Sequence, residues 1–163
     1  MFFGNSEHPL DGKFRVFVPK RFQDEIERDE KGNIVMMLTP GKDGCLFLFS
    51  VNGFMESLGD VDTRAFTSEA ERVKQRSLFY AATKVTLDAS GRLLLSEQQR
   101  EMIDLQKNGD GKIIVKMVGV MQRAEIWPLH AWLNHEKKIK EAERSEEARA
   151  NSDARGNCEE GGR

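Results

Sequence analysis

One punctuation mark occurs twice in this chain. Residues 10–18 read LDGKFRVFV and residues 87–95 read LDASGRLLL. At a spacing of 77, Leu10, Asp11 and Arg15 fall on Leu87, Asp88 and Arg92, and Val16, Val18 and Ile26 fall on Leu93, Leu95 and Ile103. One residue later the match resumes, pairing Phe49 with Trp127 and Phe54 with Trp132. The order of features is the same in both halves: strand, polar turn with Asp and Arg, strand, short helix, two strands, aromatic. Such self-similarity constrains a fold more than any single motif, because two like units must be built from like elements.

Each half is legible locally. TKVTL alternates Val85 and Leu87 on one face, as a half-buried strand does. Asp88-Ala89-Ser90-Gly91 is a turn with Asp first and Gly last, and RLLL returns as a strand. Ser96 to Gln99 has the capping-box spacing of a helix running through Leu105, which sets Met102 and Ile103 on the core. NGDG breaks the chain, and KIIVKMVGV and RAEIW read as a strand pair. The first half has Pro19 where its helix should begin, with Phe22 and Ile26 on one helical face. KGN turns the chain at 31–33, and IVMML and CLFLF flank the turn TPGKDG.

Between the halves, Ser68 to Glu71 has the spacing of a second capping box, opening a helical connector with Arg72, Lys74 and Arg76. Beyond residue 135, EKKIKEAERSEEARA is a charged, solvated helix. NSDARGNCEEGGR has nothing to bury and is expected to be disordered. The expected division is a first repeat over 1–59, the connector over 60–82, a second repeat over 83–135 and the tail over 136–163.

Composition limits the function. The formal net charge is −2, so the chain is not a uniformly basic nucleic-acid binder, though a small basic patch remains open to it. Cys45 and Cys158 form neither a disulfide framework nor a zinc spacing, which fits a reducing cytoplasm. The start MFFGNSEHPL is no signal peptide, and no apolar stretch reaches membrane-spanning length. His130 and His135 are five apart, off the helical metal-pair spacing, and His8 stands alone. There is no nucleophile elbow and no phosphate-cradling glycine loop. An enzyme, a cofactor, a metal and a small-molecule substrate are therefore not expected.

Taken singly, Asp-x-x-x-Arg is an ordinary turn with a surface ion pair. Its doubling in equivalent contexts argues for more. In each copy the arginine leaves a short braced loop directly into a strand. A guanidinium held that way can grip guanine O6 and N7, or a phosphate, with two parallel hydrogen bonds. Several such loops on a symmetric assembly can read repeated half-sites, because the assembly fixes their spacing. Lys13, Arg15, Lys20 and Arg21 form an acid-free basic run in KFRVFVPKR, of which Lys20 and Arg21 open a helix and can equally be solvated. Arg72 and Arg76 sit among Glu69 and Glu71 and suit structural ion pairing. Trp127 and Trp132 suit the core or a subunit contact.

The chain resembles the MraZ family of bacterial transcriptional regulators, relatives of the AbrB-type swapped-hairpin proteins. The resemblance rests on MFFGNSEHPLD, LDGKFRVFVPKRF, EAERVKQRSLFYAA, TLDASGRLLLSEQQRE and VKMVGVMQRAEIWPLHAW, in that order over residues 1–135. It implies an α+β fold of two tandem swapped-hairpin half-barrels with short helices, assembling into a homo-oligomeric ring. It also implies binding of double-stranded DNA at direct repeats upstream of the division and cell-wall gene cluster, in the cytoplasm and at the nucleoid. On this sequence the DNA contacts fall to Lys13, Arg15 and Arg92, with Asp11, Asp88 and Gly91 bracing the loops. A ring-forming scaffold of the same fold without DNA binding is the alternative.

One position departs from the pattern. Gly91 precedes Arg92, but Phe14 precedes Arg15, with Gly12 two places earlier. If position 14 takes a left-handed backbone, a phenylalanine there costs roughly 1–2 kcal/mol. Otherwise Gly12 lets the turn shift register. Phe14 itself can pack on its own hairpin or touch a thymine methyl.

Overall fold

The computed structural model describes residues 1–156 apart from positions 60 and 63. In chain order the elements are β1 (Asn5–Pro9), β2 (Arg15–Phe17), α1 (Lys20–Gln23), β3 (Val35–Pro40), β4 (Leu46–Ser50), α2 (Val51–Ser57) and α3 (Glu69–Phe79). Then follow β5 (Thr83–Thr86), β6 (Arg92–Leu94), α4 (Glu97–Glu101), β7 (Ile114–Val120), β8 (Arg123–Pro128) and α5 (Leu129–Gly156). This is the duplicated order expected from the spacing, in an α+β fold. Two compact units divide it, Met1–Leu129 and His130–Arg163.

In the first unit, six antiparallel strands form one sheet in the order β1-β7-β8-β4-β3-β5, and β2 and β6 form a second, two-stranded sheet. Equivalent strands of the two repeats occupy equivalent places. β1 pairs with β7 and β5 with β3, so each repeat's first strand completes the ladder of the other's third. β2 pairs with β6, and β4 with β8. The sequence reading had β6 returning after the turn that follows β5. The turn is present, with the Asp88 N–H donating to the Arg92 carbonyl at 2.9 Å. Beyond it the two strands part. Leu87 already bonds Ile34, and Leu95 bonds Phe14. Both edges of the short hairpin find partners in the other repeat.

Alternation explains the core. Met36 and Leu38 on β3, Leu46 and Leu48 on β4, and Val115 and Met117 on β7 are all within 1% of complete burial. They face Val16, Leu93, Leu95 and Phe22 in one cluster, each contributing about 1.5–3 kcal/mol by leaving water. Residues of opposite parity, Met37, Phe47 and Phe49, turn to the other face, where α2 lays Phe54 and Leu58 over them. Gly119 on β7 is needed where the N-terminal segment crosses: a β-carbon there would collide with the backbone of Phe2 and Phe3.

The helix signals held with one exception. Ser96 caps α4 by a reciprocal capping box with Gln99, and Pro19 precedes α1. Both helices are one turn shorter than their apolar spacing implies. Ile26 and Ile103 still reach the core from the following turns, at 7% and 2% exposure. Ser68 accepts from the Glu71 N–H at 3.3 Å. The Glu71 carboxylate, which a full box would turn back to the cap, instead meets Lys74 Nζ at 2.7 Å. Arg72 donates to the Thr67 carbonyl rather than to an acid.

In the second unit, α5 carries the expected exposed charged residues over 137–147 and continues to Gly156. It therefore runs into the segment that composition marks as structureless, because Ala, Arg, Asp and Ser there contain no helix breaker before Gly156. The remainder of that expected disorder, residues 157–163 with Cys158, lies outside the described residues. Among the described residues no helix is long and apolar enough to cross a membrane, and no three His, Cys, Asp or Glu side chains converge for a metal.

Cys45 immediately precedes β4, 1% exposed. Burial, helped by the negative charges of Glu125 and Asp43, pushes its thiol up to about 12. Since the thiolate is the reactive form, Cys45 is expected to resist iodoacetamide in the native chain at neutral pH and to label fully in denaturant. Mass spectrometry of the peptide that contains it checks this; rapid native labelling would refute the burial.

Candidate nucleic-acid interface

The two Asp-x-x-x-Arg loops meet. Because β2 and β6 are antiparallel, Arg15 stands opposite Leu94 and Phe17 opposite Arg92. Period two then sorts the ribbon. Val16 and Leu93 point into the core, at 0% and 1% exposure, and Arg15, Phe17, Arg92 and Leu94 line the other face. Phe17 is 40% exposed and Leu94 57%.

Each loop is built the same way. Asp11 Oδ1 accepts from the backbone N–H of Lys13 at 2.9 Å and of Arg15 at 3.0 Å. Asp88 Oδ1 accepts from Ser90 and Arg92, both at 2.9 Å. The second oxygen of each carboxylate takes the Nε–H of its own arginine, at 2.8 Å in the first loop and 2.9 Å in the second. The charges also cross. Arg15 Nη1 lies 3.6 Å from Asp88, and Arg92 Nη1 lies 3.6 Å from Asp11. Four ionised groups thus form a reciprocal square with each aspartate between two arginines. The arginine side chains remain 29% and 33% exposed, and their Nη2 groups make none of these contacts. Lys13 projects from an exposed loop position beside them.

The backbone N–H of Arg15 is the main reason the Asp11 carboxyl titrates below its ordinary 3.8. Partial desolvation opposes the shift, and the Lys13 N–H and the guanidinium add to it. Asp88 is lowered likewise, first by the Arg92 backbone N–H. A carboxyl with a lowered folded value stabilises the fold fully above its unfolded value and loses that contribution as pH falls through the folded one. Acid melting curves of the native chain should therefore drop below about pH 3.8 more steeply than those of an Asp11→Asn/Asp88→Asn variant. Parallel curves would deny the square any part in stability.

Backbone conformation resolves the departure at position 14. Phe14 adopts φ +59° and Gly91 φ +72°, and each N–H bonds the carbonyl of its aspartate, at 2.9 and 2.8 Å. The turn keeps its register, so Gly12 has no compensating role. Phe14 is half-buried. Its ring lies under the Arg100 guanidinium of α4, 3.6 Å from the ring centre.

The rest of the basic run divides. Lys20 pairs with Asp24 at 2.7 Å, and Arg21 donates to the Phe3 carbonyl and Ser6 Oγ, both at 3.1 Å. Both are occupied with holding α1 and the N-terminal segment. Trp127 is buried, with its Nε1–H donating to Glu125 at 2.9 Å. The residues that sequence reasoning missed are Phe17 and Leu94, which this register sets on the face opposite the buried Val16 and Leu93. Gln23 and Arg100, which overlie the two loops, were also missed.

Comparisons agree with the duplication. A family model described as "MraZ protein, putative antitoxin-like" matches residues 1–77 and again 78–154. A protein of Moorella thermoacetica named transcriptional regulator MraZ is 34% identical over 132 residues, 81% of this chain and 84% of that one. A protein of the same name from Roseiflexus sp. is 36% identical over 82% of this chain and 85% of its own. Another from Carboxydothermus hydrogenoformans is 35% identical over 83% and 86%.

Proposed function

The chain belongs to the MraZ family, and from that premise we propose that it is a DNA-binding transcriptional regulator that grips duplex DNA with the outer face of the β2–β6 ribbon. The observation that carries this reading is the reciprocal square. Two arginines are held side by side by carboxylates that each give one oxygen to the loop backbone and one to an arginine, leaving guanidinium edges exposed. A two-stranded ribbon is narrow enough for the major groove, where arginine reads guanine edges. In this proposal Arg15 and Arg92 contact bases, Lys13 contacts phosphate, and Asp11, Asp88 and Gly91 hold the loops. Phe17 and Leu94 offer apolar contacts of the kind thymine methyl groups accept.

The finer parts belong to the same proposal. The functional units are repeats 1–59 and 83–135, joined by the connector 60–82 and followed by the tail 136–163. The exchanged first strands supply the swapped-hairpin half-barrels. Several chains close into a ring, so that neighbouring ribbons meet direct repeats upstream of the division and cell-wall gene cluster. The chain acts in the cytoplasm, at the nucleoid, without cofactor, metal or catalysis. Exposed apolar side chains on and beside α3, among them Phe66, Val73 and Tyr80, are available for contacts between copies.

The square is electrically neutral, so attraction to phosphate rests on few charges and should be strongly dependent on salt only in proportion to them. Gel shifts against the upstream region, run beside size exclusion with light scattering, test the proposal. Binding that weakens with salt and a multimeric mass are expected. A multimer that ignores duplex even at low salt would leave the scaffold reading in its place.

A further inference from the structure

The spacing of 77 that superposes Phe14 on Gly91 also superposes Gln23 on Arg100, and the structure brings these four residues together crosswise. Gln23, on α1 of the first repeat, lies over Gly91 of the second. Its Nε2 donates to the Val18 carbonyl at 2.7 Å, and it fills the place where a β-carbon on Gly91 would sit. Arg100, on α4 of the second repeat, lies over Phe14 of the first. The exchange of strands produces the crossing: Val18 bonds the Gly91 carbonyl at 3.0 Å and Leu95 bonds the Phe14 carbonyl at 3.1 Å, so each strand leads its own helix over the opposite loop.

We infer that Arg100 is a positioning residue for the first loop, acting through Phe14. It is the counterpart of Gln23, which holds the second loop through Gly91. The inference rests on the DNA-binding reading above. The two locks differ in kind. Where the loop has glycine, the overlying side chain is a neutral amide that occupies the empty space. Where the loop has phenylalanine, the overlying side chain is a planar cation that covers the ring, an attraction available to arginine and not to glutamine. Arg100 Nε is buried with no hydrogen-bond partner among the described residues, as expected of a guanidinium set by a ring face rather than by an acceptor. Phe14 needs such cover, because its left-handed backbone is one that a side chain disfavours. With Arg100 in place, the loop that carries Lys13 and Arg15, already tied by Asp11, gains a lock from the other repeat, as its glycine-containing twin does from Gln23.

The test is a cycle of three variants of the full chain: Phe14→Gly, Arg100→Gln and both together, which converts the first lock into a copy of the second. The probe is duplex DNA that the native chain selects from a randomised pool. Arg100→Gln should bind it roughly tenfold or more weakly with an unchanged salt slope. The double variant should return to within about twofold of the native chain, and Arg100→Lys should keep part of the affinity. Native-like affinity for Arg100→Gln would overturn the lock while leaving the DNA-binding reading intact. A salt slope reduced by about one, with no recovery in the double variant, would make Arg100 a phosphate contact instead and also overturn it. Should Arg100→Gln not fold, failure of a folded double variant to bind would have the same force. Selection of no duplex by the native chain would remove the DNA-binding reading and this inference with it.

Discussion

A chain carrying Arg15→Gln and Arg92→Gln together is expected to fold, assemble and all but lose its grip on duplex DNA. Each arginine that holds a base by two hydrogen bonds is worth about 1–3 kcal/mol. The two share one charge cluster, so the double loss should fall somewhat short of their sum. The amide nitrogen of glutamine stands where the arginine Nε does and can still donate to the aspartates, so each loop keeps its tie. What it removes is the charge and the planar fork. Equilibrium gel shifts on selected duplex, with thermal melting as the control, measure the effect. Affinity within about twofold of the native chain, in a folded variant, would take the ribbon out of the interface. The single variants are informative in their difference. Equal losses mean that both loops engage DNA at once, and a loss confined to Arg15 or to Arg92 means that one loop reads while the other braces.

The second large effect belongs to the scaffold beneath the ribbon. Phe22 is completely buried and meets the edge of Phe2, with ring centres 5.5 Å apart and planes at 85°. Phe22→Ala removes that contact and opens a cavity between α1 and the sheets, at a cost of about 3–5 kcal/mol. A domain of this size has only about 5–15 kcal/mol to lose. The melting temperature should fall by roughly 6–20 °C in a calorimetric scan. A fall of under about 3 °C would mean that the surrounding side chains collapse into the space and that α1 is less firmly seated than its burial indicates. Because α1 also carries Gln23, the same variant should loosen the second loop before the chain unfolds.

Much of this architecture was legible in the sequence because local rules dominate it. Alternation set Val85 and Leu87 on one face, the Ser96–Gln99 box announced the helix that begins at Glu97, and the duplication set the order of elements. Pairing partners were less legible. A period of two says which face of a strand is buried and is silent on which strand lies beside it. Nothing in TKVTL or RLLL therefore showed that β5 joins β3 and β6 joins β2. The site shows the same boundary. Asp11 and Asp88 were expected to brace the loops, and each accepts from two backbone N–H groups of its loop and from its own arginine. That each also lies 3.6 Å from the other's arginine depends on the strand exchange. Lys20 and Arg21 looked like part of a basic patch, but charge in sequence does not reveal the acceptors, Asp24, Phe3 and Ser6, that the fold brings to them. Phe14 was read as a breach of the motif. The compensating residue lies 86 positions away in the chain, and only the 77-residue spacing that relates it to Gln23 could have pointed there.

The three-rung ladder between β2 and β6 has a bearing on how such a protein can diverge. It ties the two fingertips to each other directly, so their separation owes nothing to the stretch of chain that joins the halves. On the proposed reading, a change in the length of that joining stretch leaves the distance between the two DNA-facing loops as it is.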